Sequence, residues 1–136
     1  MNFSDVQSSL IRRVKMPELD KLYDRPFLVD GCKFCEIIKS KRPPTKLYYP
    51  EPHRIGERML IIIDCPFNHK PVVVASEHIP DVDKTRWGYM LYHARRLFGQ
   101  GIYLKIDRRY EPDHFHAYIQ HGVVDPKKLP DLRKRI

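Results

Sequence analysis

His114-Phe115-His116-Ala117-Tyr118-Ile119-Gln120 is the stretch on which the reading of this chain turns. Successive side chains of a β-strand point to opposite faces. His114, His116 and Tyr118 therefore share one face, and Phe115, Ala117 and Ile119 share the other. The second set is apolar and belongs in a core. The first then presents two imidazoles and a phenol side by side. Two surface histidines that happen to alternate would give the same local pattern, so the rest of the chain must decide between a surface and a site.

Working outward, Ile102, Leu104 and Ile106 alternate with Tyr103, Lys105 and Asp107, which predicts a strand joined to 114–120 by a turn at 108–112. Met59–Ile63 and Pro71–Ala75 are continuous apolar runs, as expected for strands buried on at least one face. The short link Pro66-Phe67-Asn68-His69 makes that pair antiparallel. Leu47-Tyr48-Tyr49 is a further short β-prone segment. Between the third and fourth strands, Trp87, Met90, Leu91, Ala94, Leu97 and Phe98 mark one face of a helix over 83–98. Asp81 or Asp83 can cap its start, and Gly99 and Gly101 can end it; His93 is expected on its surface. Cys35–Ser40 reads as one or two helical turns stopped by Pro43-Pro44. The expected class is α+β: a five-stranded antiparallel sheet covered by one long helix, with a short helical turn before it. A further short helix is expected near residues 4–15.

The chain has 136 residues, the size of one domain, and an apolar content of 42 %, too high for a disordered polymer. No apolar run is long enough to span a bilayer, and no basic stretch followed by an apolar one opens the chain, so a cytoplasmic protein without membrane contact is expected. The net charge of +8 favours anionic partners: nucleotides, nucleic acid or acidic surfaces. Residues 1–31 read as an N-terminal extension, 32–122 as the domain and 123–136 as a basic C-terminal tail.

Cys32-Lys33-Phe34-Cys35 has the spacing of a metal or redox site in a cytosolic chain. Cys65 follows an apolar run and is expected as a buried, inert thiol. Zinc takes four ligands from thiolate and imidazole, and the cysteine pair supplies two. The other two must come from His53, His69, His78, His93, His114, His116 or His121, and spacing alone does not choose among them.

Read together, these segments resemble the histidine triad (HIT) superfamily. Cys32-Lys-Phe-Cys35-Glu-Ile-Ile is similar to its opening Cys-x-Phe-Cys-x-Ile-Ile. Leu60 to Asp64, Pro66, Asn68-His69-Lys-Pro-Val-Val-Val and Ser76-Glu77-His78-Ile79-Pro80 resemble its central pattern, and 114–120 resembles the triad. The resemblance covers residues 32 to about 122, in order. It implies a zinc-bearing HIT-like fold and a nucleotidyl hydrolase or transferase that cleaves at an α-phosphate through a nucleotidyl-histidine. By position, it implies His116 as nucleophile, His69 as a supporting pocket histidine, and a structural Zn2+ on Cys32, Cys35, His78 and His114. It also implies Asp64 as acceptor of the ribose hydroxyls, Ile61 or Ile62 in the base pocket, and a homodimer with a continuous ten-stranded sheet.

Three departures bear on chemistry. Tyr118 stands at the third triad position, where it can donate a hydrogen bond but cannot act as a base near neutrality. The family's Gly-rich phosphate loop is replaced by Asp107-Arg-Arg-Tyr-Glu-Pro-Asp113, in which Asp107, Arg108 and Arg109 are left to meet the nucleotide. Asn68 replaces a usual glycine, a small change because asparagine tolerates left-handed backbone. Two function classes follow. One is an enzyme acting on nucleoside phosphoramidates, dinucleoside polyphosphates or 5′-adenylated nucleic-acid ends. The other is a non-catalytic, zinc-stabilised nucleotide- or nucleic-acid-binding module.

Overall fold

A computed structural model describes residues 27–134. The helix expected near residues 4–15, and most of the N-terminal extension, lie outside the described residues. The regular elements are α1 (Lys33–Ser40), β1 (Leu47–Tyr49), β2 (Leu60–Asp64), β3 (Pro71–Ala75), α2 (Lys84–Phe98), β4 (Tyr103–Ile106) and β5 (His116–Gln120), with short 3-10 turns at 52–54, 126–128 and 132–134. The strands form one sheet in the order β1-β2-β3-β5-β4, every neighbour antiparallel. The α+β reading holds. No helix among the described residues is long and apolar enough to cross a membrane.

The sheet is buried on both faces. Leu60, Ile62, Val73, Ala75, Ala117 and Leu104 pack against α2 through Tyr89, Met90, Ala94 and Phe98, an i, i+4, i+8 stripe with its neighbour. Ile61, Ile63, Val72, Val74 and Tyr118 pack against Phe34, Cys35, Ile37 and Ile38 of α1. The three isoleucines of β2 are each fully buried, worth roughly 1.5–3 kcal/mol apiece. Asp83 caps α2, its carboxylate accepting from the Arg86 amide at 2.8 Å.

His93 is buried rather than on the helix surface. Its ring stacks on Tyr49 of edge strand β1, with centroids 4.1 Å apart. An aromatic partner makes the inward face of α2 acceptable to an imidazole.

Residues 122–134, expected as a tail, form a packed strap. The Val123 amide donates to the Phe98 carbonyl at 3.0 Å, so the chain doubles back over the end of α2. Gly99 permits this: its φ is 116°, and a Cβ there would lie 2.7 Å from Val123 Cγ2. Lys46 Nζ donates to the Pro126 carbonyl at 2.5 Å, and the Leu47 amide donates to Asp131 Oδ1 at 3.2 Å. Leu129 packs against the α2-side core and Leu132 enters the α1-side core. The strap thus covers the β1 edge of the sheet.

Candidate metal centre and the histidine strand

Gly31, with φ 84°, turns the chain into α1. Cys32 is the extended N-cap residue of that helix and Cys35 lies in its first turn, so both thiols emerge on one side. Cys32 offers no side-chain cap; Glu111 supplies one from across the fold, its carboxylate accepting from the Lys33 amide at 3.3 Å. The two histidines arrive through the β3–β5 pairing. Val74 sits opposite His116, the Ala75 amide donates to the Phe115 carbonyl at 3.0 Å, and the Phe115 amide donates to the Ile79 carbonyl at 2.6 Å. These bonds lay the segment after β3 beside the segment before β5, which brings His78 to His114.

Cys32, Cys35, His78 and His114 form a Cys2His2 cluster whose four donor atoms lie within 4.8 Å of one another, a set that can hold a metal ion. Cys35 Sγ is 3.3 Å from His78 Nδ1 and 3.4 Å from His114 Nδ1, and Cys32 Sγ is 3.4 Å from His114 Nδ1. His114 Nε2 lies 2.6 Å from the Ala75 carbonyl, which can only accept, so Nε2 carries the proton and Nδ1 keeps its lone pair toward the thiols. Burial pushes the Cys32 thiol up to about 12 and drives His114 down to about 4. A neutral imidazole is the form that ligates.

His116 is 2 % exposed. Its Nδ1 lies 2.8 Å from the His114 carbonyl and therefore donates to it. Its Nε2 is buried and has no hydrogen-bond partner among the described residues. Burial lowers its pKa below the ordinary imidazole value, a shift opposed by that bond to the His114 carbonyl and by the Asp107 charge. Phe34 of α1 contacts the rings of both His114 and His116, at 5.6 and 4.8 Å. Tyr118 follows on the same face, its ring 5.9 Å from that of His116. Its hydroxyl meets Cys65 Sγ at 3.2 Å, and burial raises its pKa further above neutrality. Cys65 is a buried free thiol.

The remaining sequence candidates stand elsewhere. By strand alternation Ile61 lies on the His116 face, while Ile62 and Asp64 belong to the α2 face; both isoleucines are fully buried. Asp64 accepts from the Tyr48 hydroxyl at 2.8 Å. His69 is exposed in the β2–β3 turn with φ 62°. Asp64 and His69 line a cavity of about 270 Å3 together with Lys46, Tyr48 and Lys127. Arg108 is held by Asp81 at 2.7 Å and by the carbonyls of Pro80 and Pro112, and Arg109 by Asp107 at 2.7 Å.

Sequence reasoning missed Phe34 as a neighbour of both histidines, Glu111 as a helix cap, and the rings of Phe67 and Tyr110. The last two stack in parallel from separate loops, with centroids 4.7 Å apart. An aromatic residue at a strand-to-strand turn, where polar residues prevail, was the available signal for Phe67. Compared with protein-family models, curated proteins and solved structures, the chain finds no match.

Proposed function

We propose that the chain is a HIT-like nucleotidyl hydrolase or transferase, with His116 as nucleophile and a structural Zn2+ on Cys32, Cys35, His78 and His114. The observation that carries the reading is the state of His116: Nδ1–H is held by the His114 carbonyl at 2.8 Å, and Nε2 is left without a partner among the described residues. An imidazole fixed through one nitrogen offers a directed lone pair on the other, and its lowered pKa keeps it neutral and nucleophilic near pH 7. In the first step Nε2 bonds to the α-phosphorus, the bond from phosphorus to the leaving group breaks, and the leaving group takes up a proton from solvent. In the second, water or another acceptor cleaves the N–P bond, gives up a proton and restores neutral His116.

The donor set fits zinc. Bonds of about 2.3 Å to sulfur and about 2.0 Å to nitrogen in a tetrahedron separate S and N by roughly 3.5 Å. The sulfur–nitrogen distances of 3.3–3.4 Å need only small movements. Four protein donors leave no position for substrate, so zinc would pin β5 to α1 without entering the reaction. Tyr118, protonated, donates its hydroxyl to a phosphate oxygen in place of Cys65. Of the two arginines, Arg109 has the more exposed side chain and is the one left to meet phosphate. Asp64 and His69 take no part in this reading, because they line the cavity shared with Tyr48 and the C-terminal strap.

A second reading, a non-catalytic binding module, is favoured by one fact: substrate cannot reach His116 Nε2 unless its cover moves. Trapping decides between them. Native protein is mixed with nucleoside phosphoramidates, dinucleoside polyphosphates and 5′-adenylated oligonucleotides, quenched, and weighed by mass spectrometry. The enzyme reading expects a nucleotidyl adduct that His116→Ala abolishes, and turnover reduced by about 10²- to 10³-fold in Tyr118→Phe, the effect of one missing oxyanion-type donor. Binding of the same compounds with no adduct and no turnover establishes the module instead.

A further inference from the structure

Phe67 belongs to the β2–β3 turn and Tyr110 to the loop between β4 and β5. Their rings are parallel within 4°, with centroids 4.7 Å apart. Phe67 is 38 % exposed and Tyr110 is half-buried, and neither belongs to the cores on the two faces of the sheet. Phe67 meets Phe34 edge-on at 6.0 Å, and Phe34 meets His116 at 4.8 Å. A file of ring contacts therefore runs from the two loops inward: Tyr110, Phe67, Phe34, His116. Its inner end is a buried nitrogen with no partner among the described residues. Its outer part is a partly exposed pair of rings, and the Arg109 guanidinium lies over the Tyr110 ring, 5.9 Å from its centroid.

We propose that Phe67 and Tyr110 form the stacking platform for the base of the nucleotide, holding it in front of His116. This rests on the reading of His116 as the site of nucleotidyl transfer and adds how the substrate is recognised. Three observations favour a base as the occupant. Ile61 and Ile62 are fully buried, so the β2 residues expected to line a base pocket are closed to a base. Two rings brought into parallel from separate loops present the geometry on which a nucleobase stacks, and such stacking tolerates any base because each has a π-face. Arg109 adds cationic character over the Tyr110 ring, held in place by Asp107 at 2.7 Å. The platform meets Phe34, which packs on the His116 ring, so a base stacked there is coupled to the histidine through one ring.

Isothermal titration of the full chain with AMP, GMP, CMP, UMP and ribose 5-phosphate tests this. Phe67→Leu and Tyr110→Leu keep apolar volume and remove the π-face; Tyr110→Phe keeps the face. Each leucine variant should bind the nucleoside monophosphates roughly 5- to 150-fold more weakly, the effect of one lost base–aromatic stack. Ribose 5-phosphate affinity should be unchanged, and Tyr110→Phe should match wild type. Both residues are partly exposed, so folding is expected to survive, and melting curves check it; the two variants back one another. Leucine variants that fold and bind all four nucleotides like wild type overturn the proposal, as does wild type that binds none of them. Ring-dependent binding without a nucleotidyl adduct keeps the platform and removes only the enzyme reading.

Discussion

Cys32 and Cys65 provide a matched pair for testing the metal centre, since both are buried thiols and only Cys32 belongs to the four-donor cluster. The cluster joins α1, the segment after β3 and the segment before β5. Its sulfur–nitrogen distances are already 3.3–3.4 Å, so little of the binding energy is spent on rearrangement. An ion that binds only the folded chain adds about 2.7 kcal/mol when its free concentration is 100-fold above Kd. At roughly 3–6 °C per kcal/mol for a domain of this size, a chelator should lower the melting midpoint by on the order of 10 °C. Cys32→Ser should lower it similarly and lose the metal, measured by elemental analysis of protein purified without chelator. Cys65→Ser exchanges the thiol that meets the Tyr118 hydroxyl for a smaller hydroxyl, costs about 1 kcal/mol, and should keep both metal and chelator response. Uptake must also expel the proton that burial holds on Cys32, whose pKa is near 12, so affinity should fall about tenfold for each pH unit of acidification per proton released. The reasoning is refuted if wild type contains no metal, if chelator leaves the melting curve in place, or if the two serine variants behave alike.

Two further outcomes follow from the sheet edges. Asp131 receives the Arg133 guanidinium and the Leu47 amide, which hold its pKa near 2, below the 3.8 of a free carboxyl. A depressed folded-state pKa gives stability that is complete above the unfolded value and lost as pH falls through the folded one. The deficit of Asp131→Asn relative to wild type should therefore be about 1–2 kcal/mol near pH 5 and shrink between about pH 4 and pH 2, read by urea unfolding; a deficit independent of pH contradicts it. At the opposite edge no strap covers β4 among the described residues, and Tyr103 and Ile106 are exposed, so the homodimer expected from the HIT resemblance should form there, and a monomeric mass by light scattering at micromolar concentration would rule it out.

How much of this was legible in the sequence depends on whether the information was local. The β5 alternation, the Met90, Ala94 and Phe98 part of the α2 stripe and the Asp83 cap are encoded within a few residues of where they act and stand where they were expected, whereas the buried Tyr89 and His93 of α2 were not marked. The face assignment of β2 was not legible. Four successive apolar residues, Leu60–Ile63, are buried on both sides, and no polar residue marks which parity faces His116. Asp64 was therefore placed by resemblance alone, whereas the pairing of β2 with β3 puts its side chain on the Tyr48 side. The strap failed to show for a related reason. Its lysines and prolines read as solvated, and the bonds that fix it — Val123 to Phe98, Lys46 to Pro126, Leu47 to Asp131 — span long stretches of chain.

The metal cluster lies between these cases. Cys32 and Cys35 are a local signal, but the choice of His78 and His114 among seven histidines needs the β3–β5 register. The same register explains why the cluster matters to the strand it holds. His114 turns Nδ1 to the thiols and Nε2–H to the Ala75 carbonyl, and its own carbonyl accepts a hydrogen bond from His116 Nδ1–H. Each of those contacts fixes one rotation, of the His114 ring, of its peptide and of the His116 ring in turn. What is left without a partner among the described residues is the Nε2 of His116, whose ring packs on Phe34. A cluster that served stability alone would have no need to end its chain of constraints on an unsatisfied nitrogen, since a buried polar atom without a partner costs about 1–3 kcal/mol. That cost is the physical ground for looking at His116, rather than at the metal, for what this chain does.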